Sequence, residues 1–234
     1  AVASFDIVAL LAAHRRSEAK VTMALFEVEN PSEFGIVGLA KTADGDVDGE
    51  LREGFIRRFL EKPAPEQAFS NVINAGLYIL EPEVFDHIPL GEKFDFSKQL
   101  FPKLLELGWP MYAQTIDGVW FDVGQPSELI NAQATLIERY DELPFTYPEG
   151  YDVVDQVLHS RDAQMDGHIM RSVIGRDCVV EVGGCVEDSL LMANCVIKSG
   201  GKVLNSVLGE GVTVPPGTTL EGCVVGDGAV VENG

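Results

Sequence analysis

Apolar residues recur at helical spacing over residues 5–19, and that stretch ends in the basic cluster His14, Arg15 and Arg16. A helix is expected there, with positive charge near its carbonyl end. Residues 21–28, 36–40, 54–60 and 72–80 read as strands. The last is almost continuously apolar, as a central strand should be. The polar stretch 42–49 is expected to be a hairpin turn. Helices are expected over 82–88, 96–107 and 127–140, with a strand pair over 110–123 turning at Asp117-Gly118. Residues 143–150, with Pro144 and Pro148, form the expected linker. The order implies an α/β domain, a mixed sheet flanked by helices. No opening strand–helix–strand unit and no glycine-rich phosphate loop precede these elements, so the domain is expected to lack its first strands.

A strict repeat decides the C-terminal half. Ser172-Val-Ile-Gly recurs as Ser189-Leu-Leu-Met, Ser206-Val-Leu-Gly and Cys223-Val-Val-Gly, each 17 residues on. In that register Gly183, Gly200, Gly217 and Gly234 share a column, as do Val180, Ile197, Val214 and Val231. The pattern resembles hexapeptide-repeat sequences, and the resemblance implies a left-handed parallel β-helix with one triangular coil per repeat. One coil cannot bury its inward Val, Ile and Leu alone, whereas stacked coils share a core. The glycines suit corners where the backbone needs positive φ. Three parts are therefore expected: residues 1–142 of an incomplete α/β domain, a linker and solenoid entry over 143–171, and the β-helix over 172–234. The array stops mid-coil at Gly234, so the natural protein is expected to continue, or another subunit to cover that end.

Composition narrows the partners. Asp and Glu outnumber Lys and Arg 37 to 17, and the formal charge is −20. Such a field repels nucleic acid and anionic membranes, so any phosphate ligand needs a local cationic cluster. A high-salt habitat would also favour this surface. No apolar run is long enough to span a bilayer, and no basic n-region followed by an apolar h-region opens the chain, so no signal peptide is expected. The four cysteines, Cys178, Cys185, Cys195 and Cys223, all lie in the repeat and lack C-x-x-C spacing. Reduced thiols serving as small core residues in a cytoplasmic protein are expected. Histidine is absent from 172 onward, His159 and His168 both preceding it, which disfavours a hexapeptide-repeat acyltransferase.

Four motifs follow one another in the first part: Phe34-Gly35-Ile36-Val37, Glu61-Lys62-Pro63, Ile73-Asn74-Ala75-Gly76-Leu77-Tyr78 and Trp120-Phe121-Asp122-Val123-Gly124-Gln125-Pro126. With Phe94-Asp-Phe and Leu100-Phe-Pro, their order and spacing resemble the sugar-1-phosphate nucleotidyltransferases, or NDP-sugar pyrophosphorylases. The resemblance implies a Rossmann-like nucleotidyltransferase domain and transfer of a nucleotidyl group from a nucleoside triphosphate to a hexose 1-phosphate. The sugar phosphate attacks the α-phosphorus and pyrophosphate leaves. No side-chain nucleophile is needed, so catalysis rests on positioning and charge neutralisation.

By the same resemblance Lys62 contacts the sugar phosphate, Glu61 and Asn74 bind sugar hydroxyls, and Gly35 lets backbone approach the sugar. Asp122 gives one hard oxygen to Mg²⁺, so Lys62 and Asp122 are the implied catalytic pair. Each has a plainer role open to it: an exposed ion pair for Glu61 and Lys62, a turn cap for Asn74, a helix cap for Asp122, a turn glycine for Gly35. Arg57 and Arg58 read as surface charges, and the four histidines have no assigned role. The family's Gly-x-Gly-Thr-Arg signature and second metal aspartate are missing, so the chain is expected to be a truncated form, inactive alone. Mannose-1-phosphate guanylyltransferase is the nearest resemblance, glucose-1-phosphate thymidylyl- or uridylyltransferase the rival. A non-catalytic regulatory or exchange-factor subunit of the same architecture is the alternative of another class. The β-helix implies a homo-oligomer.

Overall fold

The computed structural model describes residues 1–143 and 146–232. Pro144 of the linker and Gly234 of the glycine column lie outside the described residues. The chain forms two compact units, one of residues 5–120 and the other of residues 1–4 with 121 onward. The short strand β1 (Val2–Ser4) is counted with the second unit.

In the first unit, helix α1 (Ile7–Ser17) begins where the Asp6 carboxylate accepts the amides of Val8 and Ala9 at 2.9 and 3.0 Å. That cap satisfies two of the donors a helix start leaves free. The helix buries Leu10, Ala13 and His14. The strands β2 (Val21–Glu27), β3 (Gly35–Ala40), β4 (Glu53–Glu61), β5 (Val72–Leu80) and β6 (Met111–Thr115) follow. They pair in the order β2-β5-β3-β4-β6, and β6 returns to β2 to close a barrel. The β2–β6 pair is parallel and the other four pairs are antiparallel, so the sheet is mixed as expected but closed on itself. Met23, Leu25, Val37, Leu39 and Ile56 meet Leu100, Phe101 and Leu104 in its main core.

Three elements depart from the sequence expectation. Residues 82–88 form a 3₁₀ helix, Pro82–His87. Residues 96–107 split into one π-helical turn, Phe96–Leu100, and helix α2 (Phe101–Glu106). Pro102 has no amide to donate backward and its ring crowds the carbonyl four residues earlier, which widens the turn before it. Over 110–123, β6 does not pair with β7 (Val119–Phe121). Both edges of β6 are already taken, one by β2 and the other by β4.

The second unit contains helix α3 (Pro126–Glu138), with proline in its first turn, and a parallel β-solenoid. Successive coils stack in the 17-residue register: Val173 pairs with Leu190, Leu190 with Val207, and Val207 with Val224. Ile174, Val180, Val186, Leu191, Ile197, Val203, Leu208 and Val214 are all fully buried in the shared core. A serine ladder runs beside them. The Ser172 hydroxyl accepts the Ser189 amide, Ser189 that of Ser206, and Ser206 that of Cys223, at 3.0–3.1 Å.

Gly183, Gly200 and Gly217 occupy one corner column with φ of 82°, 76° and 74°. A second left-handed column, Arg171, Asp188, Asn205 and Gly222, has φ of 43–62° and is mostly not glycine. Two differences from expectation bear on function. The stacking already includes strands Val157–Ser160, Gln164–Met165 and His168–Met170, so His159 and His168 stand on a coil and histidine is missing only from later ones. Cys178 and Cys195 are core residues as expected, but Cys185 and Cys223 are only partly buried. Alternation along the strand turns Val186 inward and so turns Cys185 outward.

Candidate active site

Three of the four motifs meet at one end of β3 and β4, beside the middle of β5. Antiparallel pairing sets Gly35 opposite Glu61, and the Lys62 amide donates to the Phe34 carbonyl at 2.9 Å. The pair Ile36–Ile73 between β3 and β5 puts Asn74 next in register to Gly35. Gly35, Glu61, Lys62 and Asn74 are thus brought together. Asp122 belongs to the other compact unit.

Gly35 is glycine because of Glu61. A Cβ at this position would fall 2.7 Å from Glu61 Oε2 and 2.9 Å from Phe59 Cζ. The bare backbone is the floor on which the carboxylate lies. Lys62 stands in the left-handed region with φ 46°, immediately before Pro63. That conformation costs a non-glycine residue about 1–2 kcal/mol, so the strand ends in a strained residue fixed by its bond to Phe34. The Lys62 ammonium reaches the solvent, 3.6 Å from the exposed Glu33 carboxylate. A surface pair this long holds the ammonium only weakly.

Asn74 is engaged by its own strand. Between Met23 and Leu25 the β2–β5 register shifts, because Met23 pairs with Tyr78 while Leu25 pairs with Asn74. Ala75, Gly76 and Leu77 face the single residue Ala24 and form a bulge, in which Gly76 has φ 75°. Asn74 clasps it: Oδ1 accepts the Gly76 amide at 2.9 Å, and Nδ2 donates to the Tyr78 hydroxyl at 2.8 Å and to Ser97 Oγ at 3.3 Å. Both amide hydrogens are used, leaving one lone pair on Oδ1. The turn-cap alternative is therefore the nearer description of this side chain. Burial pushes the Tyr78 phenol above its ordinary value, against the opposing hydrogen bonds from Asn74 and Ser97.

Trp120 closes one side. Its Nε1–H donates to the Ala75 carbonyl at 2.8 Å, and its ring lies 5.6 Å from Phe34, edge-on, and 5.7 Å from Phe26. The roles of Trp120, Tyr78, Ser97 and Glu33 were not read from sequence. Trp120 and Tyr78 stand inside quoted motifs, which was the available signal; Ser97 and Glu33 offered none.

The remaining candidates fall as follows. Asp122 is exposed, and among the described residues no hydrogen bond or ion pair holds it. An unencumbered carboxylate of this kind suits a divalent cation that takes one or two protein oxygens and fills the rest of its shell with phosphate and water. Arg58 packs over the Phe69 ring at 4.2 Å. His14, which sequence left without a role, is buried between Thr22 Oγ1 at 2.8 Å and Glu81 Oε1 at 3.1 Å, and ties α1 to β2 and to the end of β5. No helix among the described residues is long and apolar enough to cross a membrane.

With this geometry in hand, similarity to known proteins is informative. The family model described as nucleotidyl transferase matches residues 1–139, and the one described as GlmU-like, C-terminal hexapeptide matches residues 156–234. A UTP–glucose-1-phosphate uridylyltransferase of Synechocystis is 37% identical over 141 residues, covering 59% of this chain and 34% of that protein. A mannose-1-phosphate guanyltransferase of Eremothecium gossypii is 32% identical over 159 residues, 68% of this chain and 40% of its own length. A probable mannose-1-phosphate guanylyltransferase of Oryza sativa is 27% identical over 188 residues, 80% of this chain and 47% of its own length. The chain thus spans between a third and a half of these relatives. With the nucleotidyl transferase model matching more than half of its residues, the chain belongs to the nucleotidyl transferase family.

Proposed function

We propose that this chain carries the sugar-phosphate half of an enzyme that joins a hexose 1-phosphate to a nucleoside triphosphate, releasing an NDP-sugar and pyrophosphate. The observation that carries the reading is the Gly35–Glu61–Lys62 arrangement, a carboxylate and a strained, weakly held cation side by side at a strand end. In this reading a phosphate dianion displaces Glu33 from the Lys62 ammonium, and the Lys62 backbone, pinned to Phe34, fixes where that charge points. Glu61 accepts hydrogen bonds from sugar hydroxyls, and Asn74 has one lone pair left to do the same. Its other bonds hold the bulge against which Trp120 is braced. The phosphate oxygen then attacks the α-phosphorus in line, with neutralised charge and fixed orientation supplying the acceleration.

Asp122 is proposed as a ligand of the divalent cation, Mg²⁺, which when bound neutralises charge on the reacting phosphates. The solenoid is proposed to assemble the protein as a homo-oligomer in the cytoplasm. Mannose 1-phosphate with GTP is the favoured pair, supported by the named activity of the fungal and rice relatives. Glucose 1-phosphate with UTP is the second reading, supported by the Synechocystis relative.

Calorimetric titration of the purified chain tests the proposal. Mannose 1-phosphate should bind, free mannose should not, and Lys62→Ala should weaken binding at least tenfold. Tighter binding of glucose 1-phosphate would exchange the two readings. Failure of both sugar phosphates to bind, or binding indifferent to Lys62→Ala, would overturn the site.

A further inference from the structure

The outer face of the solenoid carries a second group of chemically matched side chains, remote in sequence from the motifs above. His168 pairs directly with Cys185 across two parallel coils, and Glu187 follows Cys185 by two residues on the same strand. Alternation along a strand turns Cys185 and Glu187 to the same side. The result is compact: Glu187 Oε1 lies 3.4 Å from His168 Nε2 and 3.3 Å from Cys185 Sγ, and one donor atom from each of the three lies within 4.8 Å of the others.

We propose that His168, Cys185 and Glu187 bind a zinc-class divalent cation, which staples the first full coil of the solenoid to the second. A nitrogen, a thiolate sulfur and a carboxylate oxygen form a mixed donor set that suits zinc and does not suit Mg²⁺ or Ca²⁺. In a tetrahedral site with bond lengths of about 2.0–2.3 Å, ligand atoms stand about 3.5 Å apart. Two of the three separations already have this value, so side-chain rotation alone completes the site. A water molecule takes the fourth position, because His168 faces solvent.

The coil itself does not require these residues. In register with His168 and Cys185 the next coils carry Lys202 and Thr219, and in register with Glu187 they carry Leu204 and Glu221. The same backbone position thus accepts an amine, a hydroxyl or an alkyl chain, so packing gives no reason for the imidazole and thiol to coincide. Nor does the local field forbid a cation. The Arg171 guanidinium is held by both oxygens of Asp188 at 2.6 and 2.5 Å, and Lys202 is exposed and free to swing away. Two anionic ligands, thiolate and carboxylate, would neutralise the incoming charge.

The test uses the whole chain, freed of metal by chelation and titrated with Co²⁺ and then Zn²⁺. One equivalent of Co²⁺ should produce a thiolate-to-cobalt charge-transfer band and the visible bands of a tetrahedral site, and Zn²⁺ should displace it. Cys185→Ser should abolish the charge-transfer band, and His168→Ala and Glu187→Gln should each weaken Zn²⁺ binding at least tenfold. Cys223→Ser, at the other partly buried thiol, should leave the titration unchanged. His168 is exposed and the other three are only partly buried, and thermal melts of the apo variants check that they fold. Zn²⁺ should raise the melting temperature of the solenoid in the parent chain and not in Cys185→Ser. Absence of saturable Co²⁺ binding, or binding that survives Cys185→Ser or is lost with Cys223→Ser, would overturn the assignment.

Discussion

Gly35→Ala separates a carboxylate that needs its floor from a glycine that merely occupies a turn. The added methyl would lie 2.7 Å from Glu61 Oε2 and 2.9 Å from Phe59 Cζ, both too close to be accommodated in place. Overpacking of this kind costs about 1–3 kcal/mol. Replacing glycine within a strand returns about 0.5–1 kcal/mol of backbone entropy, so the net loss should be up to about 2.5 kcal/mol. The carboxylate is the freer neighbour, because Phe59 is packed against Phe101. Most of the strain should therefore be relieved by moving Glu61.

That asymmetry makes the effect testable in two ways. Both tryptophans, Trp109 and Trp120, lie in the first compact unit, so fluorescence-detected urea unfolding reports that unit without the solenoid. In a double-mutant cycle, Gly35→Ala should cost less in a Glu61→Ala background, with an interaction energy of about 0.5–1 kcal/mol or more. Hexose 1-phosphate affinity should fall about tenfold or more with Gly35→Ala alone, the loss of one hydrogen bond to a charged group being about 1.5–3 kcal/mol. The same destabilisation with and without Glu61, or unchanged sugar-phosphate binding, would refute the reasoning.

Three further outcomes are expected. Lys62→Gly should stabilise the first unit in urea by about 1 kcal/mol, relieving the left-handed strain, while sugar-phosphate binding is lost; a destabilised variant would show that the lysine side chain is structural. Ser189→Ala should cost the solenoid about 1–3 kcal/mol by leaving the buried Ser206 amide without its acceptor. Circular dichroism melts should register that loss, and Ser189→Cys, which copies the natural exchange at Cys223, should lose less. The Tyr78 phenol is held above its ordinary value of 10.0, with burial the main cause. A group whose folded value is raised stabilises the protein below its unfolded value, and that stability disappears as the pH climbs through the folded value. Urea midpoints of the first unit should therefore begin to fall above about pH 10, and the fall should be shallower in Tyr78→Phe.

What could be read in the sequence was whatever the backbone repeats or whatever one strand decides alone. The 17-residue column of serines survives as a hydrogen-bonded ladder because each coil meets an identical copy of itself. The almost continuously apolar 72–80 segment is a strand with the expected ends because Val72, Ile73, Leu77, Tyr78, Ile79 and Leu80 outweigh the weaker strand formers between them. The left-handed column Arg171, Asp188, Asn205 was hidden because three different side chains share one backbone state. The β6–β7 pairing failed for a similar reason: a hairpin is a local expectation, and two strands distant in sequence had already claimed both edges of β6.

The motifs of the candidate site sit between these cases, and Asn74 shows why. Its sequence neighbours, Ala75-Gly76 and Tyr78, were visible as a motif, and a residue that precedes a glycine in a strand is open to reading as a turn cap. The bulge needs three residues of β5 to face one of β2, a mismatch that no single strand displays. Once the bulge forms, the same asparagine must clasp Gly76 and Tyr78 before it can face any ligand, and Trp120 arrives from 45 residues away to seal the Ala75 carbonyl. Motif order therefore identified which residues gather, while the division of labour among them followed from hydrogen bonds between elements. In the proposed function Asn74 and Gly35 support the site, and Glu61 and Lys62 are left to meet what enters it.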